Sequence, residues 1–288
     1  MTPTFCRGVN LLLALGLVLS PCWMWADDKP AQRINGWQRL FRKQAAEYKF
    51  VAEGDEGGEV KLVAEPLLQW NQPVRGGSDG AVFVWTKEGR PVAIGTLFIW
   101  PMDNGLQAVT HELHSLSQAP LVATRGSLRW TPPQDSIVWK SIPDSPVPAG
   151  TADQRLRQMR DLARQFTTES HDRSDRRWEL RTLARPIYRY ALDRKDGSTL
   201  ADREVLDGAL FGLVEGTDLE IVLSIEARKT TAGYRWEFAM SRMSDYRLTA
   251  KLADKTVWEV EPSTTHGDPK MAYHCLIAES RASADDVE

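Results

Sequence analysis

Apolar positions along this chain change period several times, and the changes divide it into elements. Ile34, Trp37, Leu40, Phe41 and Tyr48 recur at helical spacing. Asn35 and Gln38, three apart, suit a capping box at that start, although Gly36 weakens it. An acidic, glycine-rich stretch, Glu53-Gly54-Asp55-Glu56-Gly57-Gly58, ends the helix. Strand-like runs follow at 59–70, 81–86, 91–100, 106–117 and 120–130, with Glu88-Gly89-Arg90 as the tight connection inside 81–100. Residues 134–150, after Pro132 and Pro133, carry Pro143, Pro146 and Pro148, then Gly150. Proline fixes φ and removes a donor, so this stretch reads as an extended linker.

A second helix begins at Thr151, which forms a capping box with Gln154. Leu156, Met159, Leu162, Ala163 and Phe166 make its apolar stripe. Strand-like runs return at 177–191, 209–214, 219–227, 233–243, 246–252 and 256–261. Leu219, Ile221, Leu223 and Ile225 alternate with polar neighbours, as do Tyr234, Trp236, Phe238 and Met240. One packed face and one wet face is the pattern of antiparallel sheet. Residues 263–288 read as a loosely ordered tail ending in Asp285-Asp286-Val287-Glu288.

The two runs of elements resemble each other residue by residue. Gly80-Ala81-Val82-Phe83 matches Gly208-Ala209-Leu210-Phe211, and Glu88-Gly89 matches Glu215-Gly216. Pro66 matches Pro186, Trp70 matches Tyr190, and Trp130 matches Trp258, with the offset held between 120 and 128. The expected fold class is therefore α+β: two tandem copies of a helix followed by an antiparallel β-meander, related by a pseudo-twofold axis. The copies span 27–133 and 151–262.

The first 26 residues change the picture of location. Arg7 precedes a short apolar run over 9–19, and Met24-Trp25-Ala26 offers a small residue for cleavage before Asp27. That is a signal peptide, so the expectation is an exported protein, periplasmic or extracellular, with no membrane span after its removal. Leu19-Ser20-Pro21-Cys22 has part of a lipobox, and a lipoprotein anchored at Cys22 is the minor alternative. Cys6 and Cys22 fall in the signal, which leaves Cys275 alone and no intramolecular disulfide. Net charge is −3 with a pI near 6.0, so no nucleic-acid partner is implied. No fingerprint calls for a cofactor.

Three groups of residues carry candidate chemistry. His111-Glu112-Leu113-His114 is one residue short of the helical His-Glu-x-x-His zinc motif and lies on a strand. Alternation puts Glu112 and His114 on one face and His111 on the other. Glu112 and His114 are thus the candidates for catalysis or metal binding, against the plainer reading of a solvated pair. The second group is charge. Residues 151–195 hold twelve Lys/Arg against seven Asp/Glu, while 202–226 hold seven acids against Arg203. Arg173, Arg177, Arg181 and Arg189 would bind an acidic ligand, or else pair with the neighbouring acids. The third is aromatic: Trp70, Trp85 and Trp100, fifteen residues apart, are either ligand platforms or core anchors.

The stretches Arg155-Leu156-Arg157-Gln158-Met159-Arg160, Trp178-Glu179-Leu180-Arg181 and Asp207-Gly208-Ala209-Leu210-Phe211 resemble an uncharacterised family of exported bacterial proteins. The resemblance implies export and no particular activity. The expectation is a non-catalytic binding or structural protein of the cell envelope, with an unknown ligand or envelope partner. The rival is a hydrolase, metal-assisted or not, centred on Glu112 and His114.

Overall fold

The computed structural model describes residues 36–52, 59–72, 78–190 and 204–283. The signal segment, Asn35 of the first capping box, the glycine-rich stretch 53–58, the loop 191–203 and residues 284–288 lie outside the described residues. Among the described residues no helix is long and apolar enough to cross a membrane.

The described residues open with α1 (Gly36–Glu47) and run through β1 (Lys49–Ala52), β2 (Val60–Leu62), β3 (Leu68–Gln72), β4 (Ser78–Lys87), β5 (Arg90–Pro101), β6 (Gln107–Ser115), β7 (Leu121–Arg125) and β8 (Leu128–Trp130). A short β9 (Lys140–Ser141) precedes α2 (Ala152–Ala163). Then come β10 (Phe166–His171), β11 (Arg177–Thr182), β12 (Tyr188–Tyr190), β13 (Val205–Glu215) and β14 (Asp218–Thr230). The chain finishes with β15 (Gly233–Arg242), β16 (Arg247–Leu252), β17 (Lys255–Val260) and β18 (Tyr273–Arg281).

The strands form three antiparallel sheets. One is β1-β7-β8. A six-stranded sheet runs β18-β6-β5-β4-β2, with β3 also paired to β4. A nine-stranded sheet runs β17-β16-β10-β11-β13-β14-β15-β9, with β12 beside β13.

Three apolar clusters hold the layers. In the first, Leu40, Phe41 and Ala45 of α1 meet Phe83, Trp85, Leu97 and Leu113 of the six-stranded sheet, with Leu121 and Trp130 closing from the small sheet. In the second, Met159, Leu162 and Ala163 of α2 meet Phe211, Leu223, Ile225 and Trp236. In the third, the opposite faces of the two large sheets meet each other. Val82, Val84 and Ile94 pack there with Leu210, Val214, Val222 and Ala239. The central strands are therefore buried on both faces, as the burial along β4 and β13 shows.

These facts correct the expected fold class. The described residues are mostly β, with 55% strand against 11% helix, several sheets and a half-barrel. It is not a tandem helix-plus-meander α+β arrangement. The strand that follows each helix is the reason. After α1, β1 pairs with β7, and after α2, β10 pairs with both β11 and β16. Each helix therefore feeds a strand that reaches across its half to a late strand, which a meander does not do. Phe166, expected on the helix, begins β10 instead. Its neighbours Thr167 and Thr168 are β-branched, and Phe166, Thr168 and Ser170 alternate inward.

The tail needs a correction too. Tyr273–Arg281 is a strand paired along β6 from His114 to Gln107, not a loose end. The linker is packed, with Ile137 in the third cluster and Ile142 in the second, while Lys140 pairs with Phe238.

Local sequence reasoning holds where a side chain decides geometry alone. The Thr151 hydroxyl caps α2 by accepting from Gln154 N. Trp70 lies directly across from Gly80, and Tyr190 across from Gly208. A Cβ at Gly80 would sit 2.3 Å from the Trp70 ring, and one at Gly208 2.5 Å from the Tyr190 ring. Each glycine is required because an aromatic ring occupies the space of a side chain.

Candidate functional site, a cleft over Glu112

β6 sorts its polar residues by face. Val109, His111 and Leu113 point to the α1 side. Thr110, Glu112 and His114 point the other way. Cross-strand register adds their neighbours: Phe98 and Ile277 flank Thr110, Thr96 and Cys275 flank Glu112, and Ile94 and Tyr273 flank His114. Near Ile94 this face is sealed by the second half. Towards Thr110 it opens into a cleft of about 980 Å³. Phe98, Trp100, Thr110, Glu112, Cys275 and Ile277 line one side. Across from them stand Asp172, Arg173 and Ser174 of the β10–β11 turn, Asp245 and Tyr246 before β16, and His266 of the final loop.

Glu112 is the buried acid of this site, only 8% exposed. Tyr273 Oη donates to Glu112 Oε1 at 2.6 Å. Burial holds the carboxyl proton well above the usual carboxylate range. The Tyr273 hydrogen bond opposes this, and Asp218, Glu220 and Asp245 add to it. Burial and Glu112 push the Tyr273 phenol up in turn. Burial likewise pushes the Cys275 thiol up, so this free cysteine is a poor nucleophile. Arg242 stands behind, its guanidinium 5.0 Å from the Tyr273 ring centre. It donates to the carbonyls of Ser244, Tyr246 and Glu261, which anchors the loop carrying Asp245.

The other sequence candidates fall in several places. His111 is enclosed between Tyr48 Oη and Gln44 Oε1, each at 2.7 Å. Its Nε2 donates to Gln44 and its Nδ1 accepts from Tyr48, and burial pulls it down to about 3. His114 Nδ1 donates to the Ser115 carbonyl at 2.8 Å, and burial pulls it down to about 4. Both are neutral at pH 7. Glu112 and His114 share a face, as alternation implies, but the face is covered rather than solvated. The described residues contain no group of three His, Cys, Asp or Glu placed to hold a metal ion.

Trp85 lies in the first cluster, packed on Phe50 and Tyr48. Trp100 lines the cleft, its Nε1 donating to Thr110 Oγ1 at 2.9 Å and its side chain 38% exposed. Arg189 is committed to buried Asp207, which also binds Arg155. Arg177 pairs with Glu169, and Arg181 donates to the Gly216 carbonyl. These three arginines serve the fold's own acceptors and do not line the cleft. Tyr273, Asp245 and His266 were missed as site residues, whereas Arg173, one of the arginine candidates, does line the cleft. Only the alternation of Tyr273, Cys275 and Ile277 was available to find any of them.

Stability should follow the titration of this buried face. A Glu whose folded value is raised contributes stability that is complete at low pH and lost as pH rises through that value. The lowered values of His111 and His114 act in the opposite sense. Their contribution is complete above about 6.5 and is lost as pH falls through about 4 and about 3. Urea midpoints measured from pH 5 to 9 should show Glu112→Gln gaining on the wild type as pH rises. A difference that does not change with pH would mean that Glu112 is ionised throughout.

Comparison with protein-family models, curated proteins and solved structures finds no match to this chain.

Proposed function

We propose that this is a non-catalytic binding protein of the cell envelope that holds a small ligand in the cleft over Glu112. The cleft itself carries the reading. It joins an exposed apolar side, Trp100 and Ile277, to a buried acid with one fixed hydrogen bond and to a polar opposite wall. Ligand sites are concave and largely apolar, with a few placed polar groups, and a strongly perturbed acid in such a cleft marks function. Chemistry at Glu112 and His114 would need both groups at one ligand. His114 is bonded to its own strand and does not line the cleft, which favours binding over hydrolysis.

Envelope location rests on the signal segment, and N-terminal sequencing of exported protein should begin near Asp27. The binding role is tested by thermal shift against neutral sugars, organic amines, dicarboxylates and medium-chain fatty acids. One class should raise the melting temperature of the wild type and leave Ile277→Asp unmoved. No shift with any class, or the same shift in Ile277→Asp, would contradict the reading.

A further inference from the structure

We propose that the ligand is a neutral saccharide, with one ring stacked on Trp100 and its hydroxyls held by Glu112 and the Arg173–Asp245 pair. This rests on the cleft being the binding site and adds the class of ligand.

The platform comes first. Trp100 and Phe98 are two apart on β5 and share the cleft face, with Ile277 beside Thr110 across β6. The bond from the indole to Thr110 ties the ring to the sheet while much of it stays accessible. A pyranose ring has an apolar C–H face and a rim of hydroxyls. It matches an aromatic surface bordered by polar groups, as an amphipathic ring requires.

Charge decides among the classes. Arg173 Nη2 lies 2.5 Å from Asp245 Oδ2, and His266 Nε2 lies 3.7 Å from the same oxygen. The Asp172 carboxylate accepts from Ser174 N, Ser174 Oγ and Arg176 N within its own turn. Burial favours the protonated form of Glu112. Arg173 and Asp245 thus compensate each other, and Asp172 is fixed by three donors of its own turn. An amine or carboxylate ligand would have to be desolvated against charges already paired. An acyl chain would cover Glu112 and the polar wall without offering them a hydrogen bond. A neutral polyol meets both conditions. A protonated acid offers a donor and an acceptor, and the planar Arg, Asp and His groups suit adjacent hydroxyls. The volume of about 980 Å³ lies at the upper end for ligand pockets, which leaves room for more than one sugar ring.

The test is calorimetric titration of the full-length exported protein. The titrants are cellotriose, maltotriose, chitotriose and mannotriose, with octylamine, glutarate and decanoate as contrasts. At least one trisaccharide should bind, with Kd raised roughly tenfold or more in Trp100→Ala and in Glu112→Leu. Glu112→Gln should stay within about threefold of the wild type, because an amide also donates and accepts. Far-ultraviolet circular dichroism of each variant separates loss of binding from loss of fold. Binding of octylamine, glutarate or decanoate but of no trisaccharide, abolished in Ile277→Asp, would overturn the sugar and leave the binding site standing. Binding of no probe, or binding unchanged in all four variants, would overturn both.

Discussion

Replacing Glu226 by alanine should cost about 3–5 kcal/mol, because it removes one member of a buried ionic cluster and leaves the others in place. Glu226 is 1% exposed on β14. Arg90 of β5 grips it with two parallel bonds, Nε to Oε1 at 3.0 Å and Nη2 to Oε2 at 2.9 Å. Arg228 adds a third bond at 2.9 Å, and Tyr190 Oη donates a fourth at 2.7 Å. Arg228 keeps Glu204 and Glu237 after the substitution. Arg90 loses a bidentate acceptor. Because Arg90 belongs to the first half and Glu226 to the second, the loss falls on the contact between the large sheets. Urea denaturation should show it, and Glu226→Gln should be affected less. A loss below about 1 kcal/mol would place the attachment of the halves in the third apolar cluster alone.

Two tryptophans from the same fifteen-residue series should behave oppositely. Trp85→Ala is expected to cost about 3–5 kcal/mol. Its ring is 1% exposed, 4.8 Å from Phe50 and 5.7 Å from Tyr48 between centroids, and no shift of α1 can fill so large a void. Trp100→Ala should cost under about 1 kcal/mol, since an exposed side chain leaves little cavity. Its effect should fall on ligand binding instead. Equal losses in the two variants by chemical denaturation would contradict the division between core and cleft.

That contrast marks where the sequence was readable. Spacing placed Trp70, Trp85 and Trp100 near strands, but Trp85 and Trp100 differ by an odd number of positions and one hairpin, so periodicity could not say which faced solvent. Alternation separated His111 from Glu112 and His114 correctly, since it depends only on the pleat. It could not show that the polar face of β6 is covered, because the cover is β13–β15, more than ninety residues away in the chain. The same limit hid the site's far wall. Arg173 comes from a turn between strands and Asp245 from a loop held by Arg242, so nothing local marks either as belonging with Glu112. The capping box at Thr151 and the glycines at 80 and 208 were legible because each answers a short-range demand. Strands β1 and β10 were not: both are short and follow a helix directly, and Phe166, the first residue of β10, continues the apolar stripe of α2. That omission concealed the crossing to β7 and β16, and with it the true architecture.

The most direct test of the cleft as the ligand site uses methyl NMR of isoleucine-labelled protein, titrated with whichever compound gives the thermal shift. Ile277 is 50% exposed on the cleft face, whereas Ile142 and Ile221 are buried in the second apolar cluster. Saturable movement of the Ile277 methyl signal, with Ile142 and Ile221 unmoved, is the predicted result. A ligand that saturates while Ile277 stays still and the buried methyls of the α2 cluster shift would contradict the account.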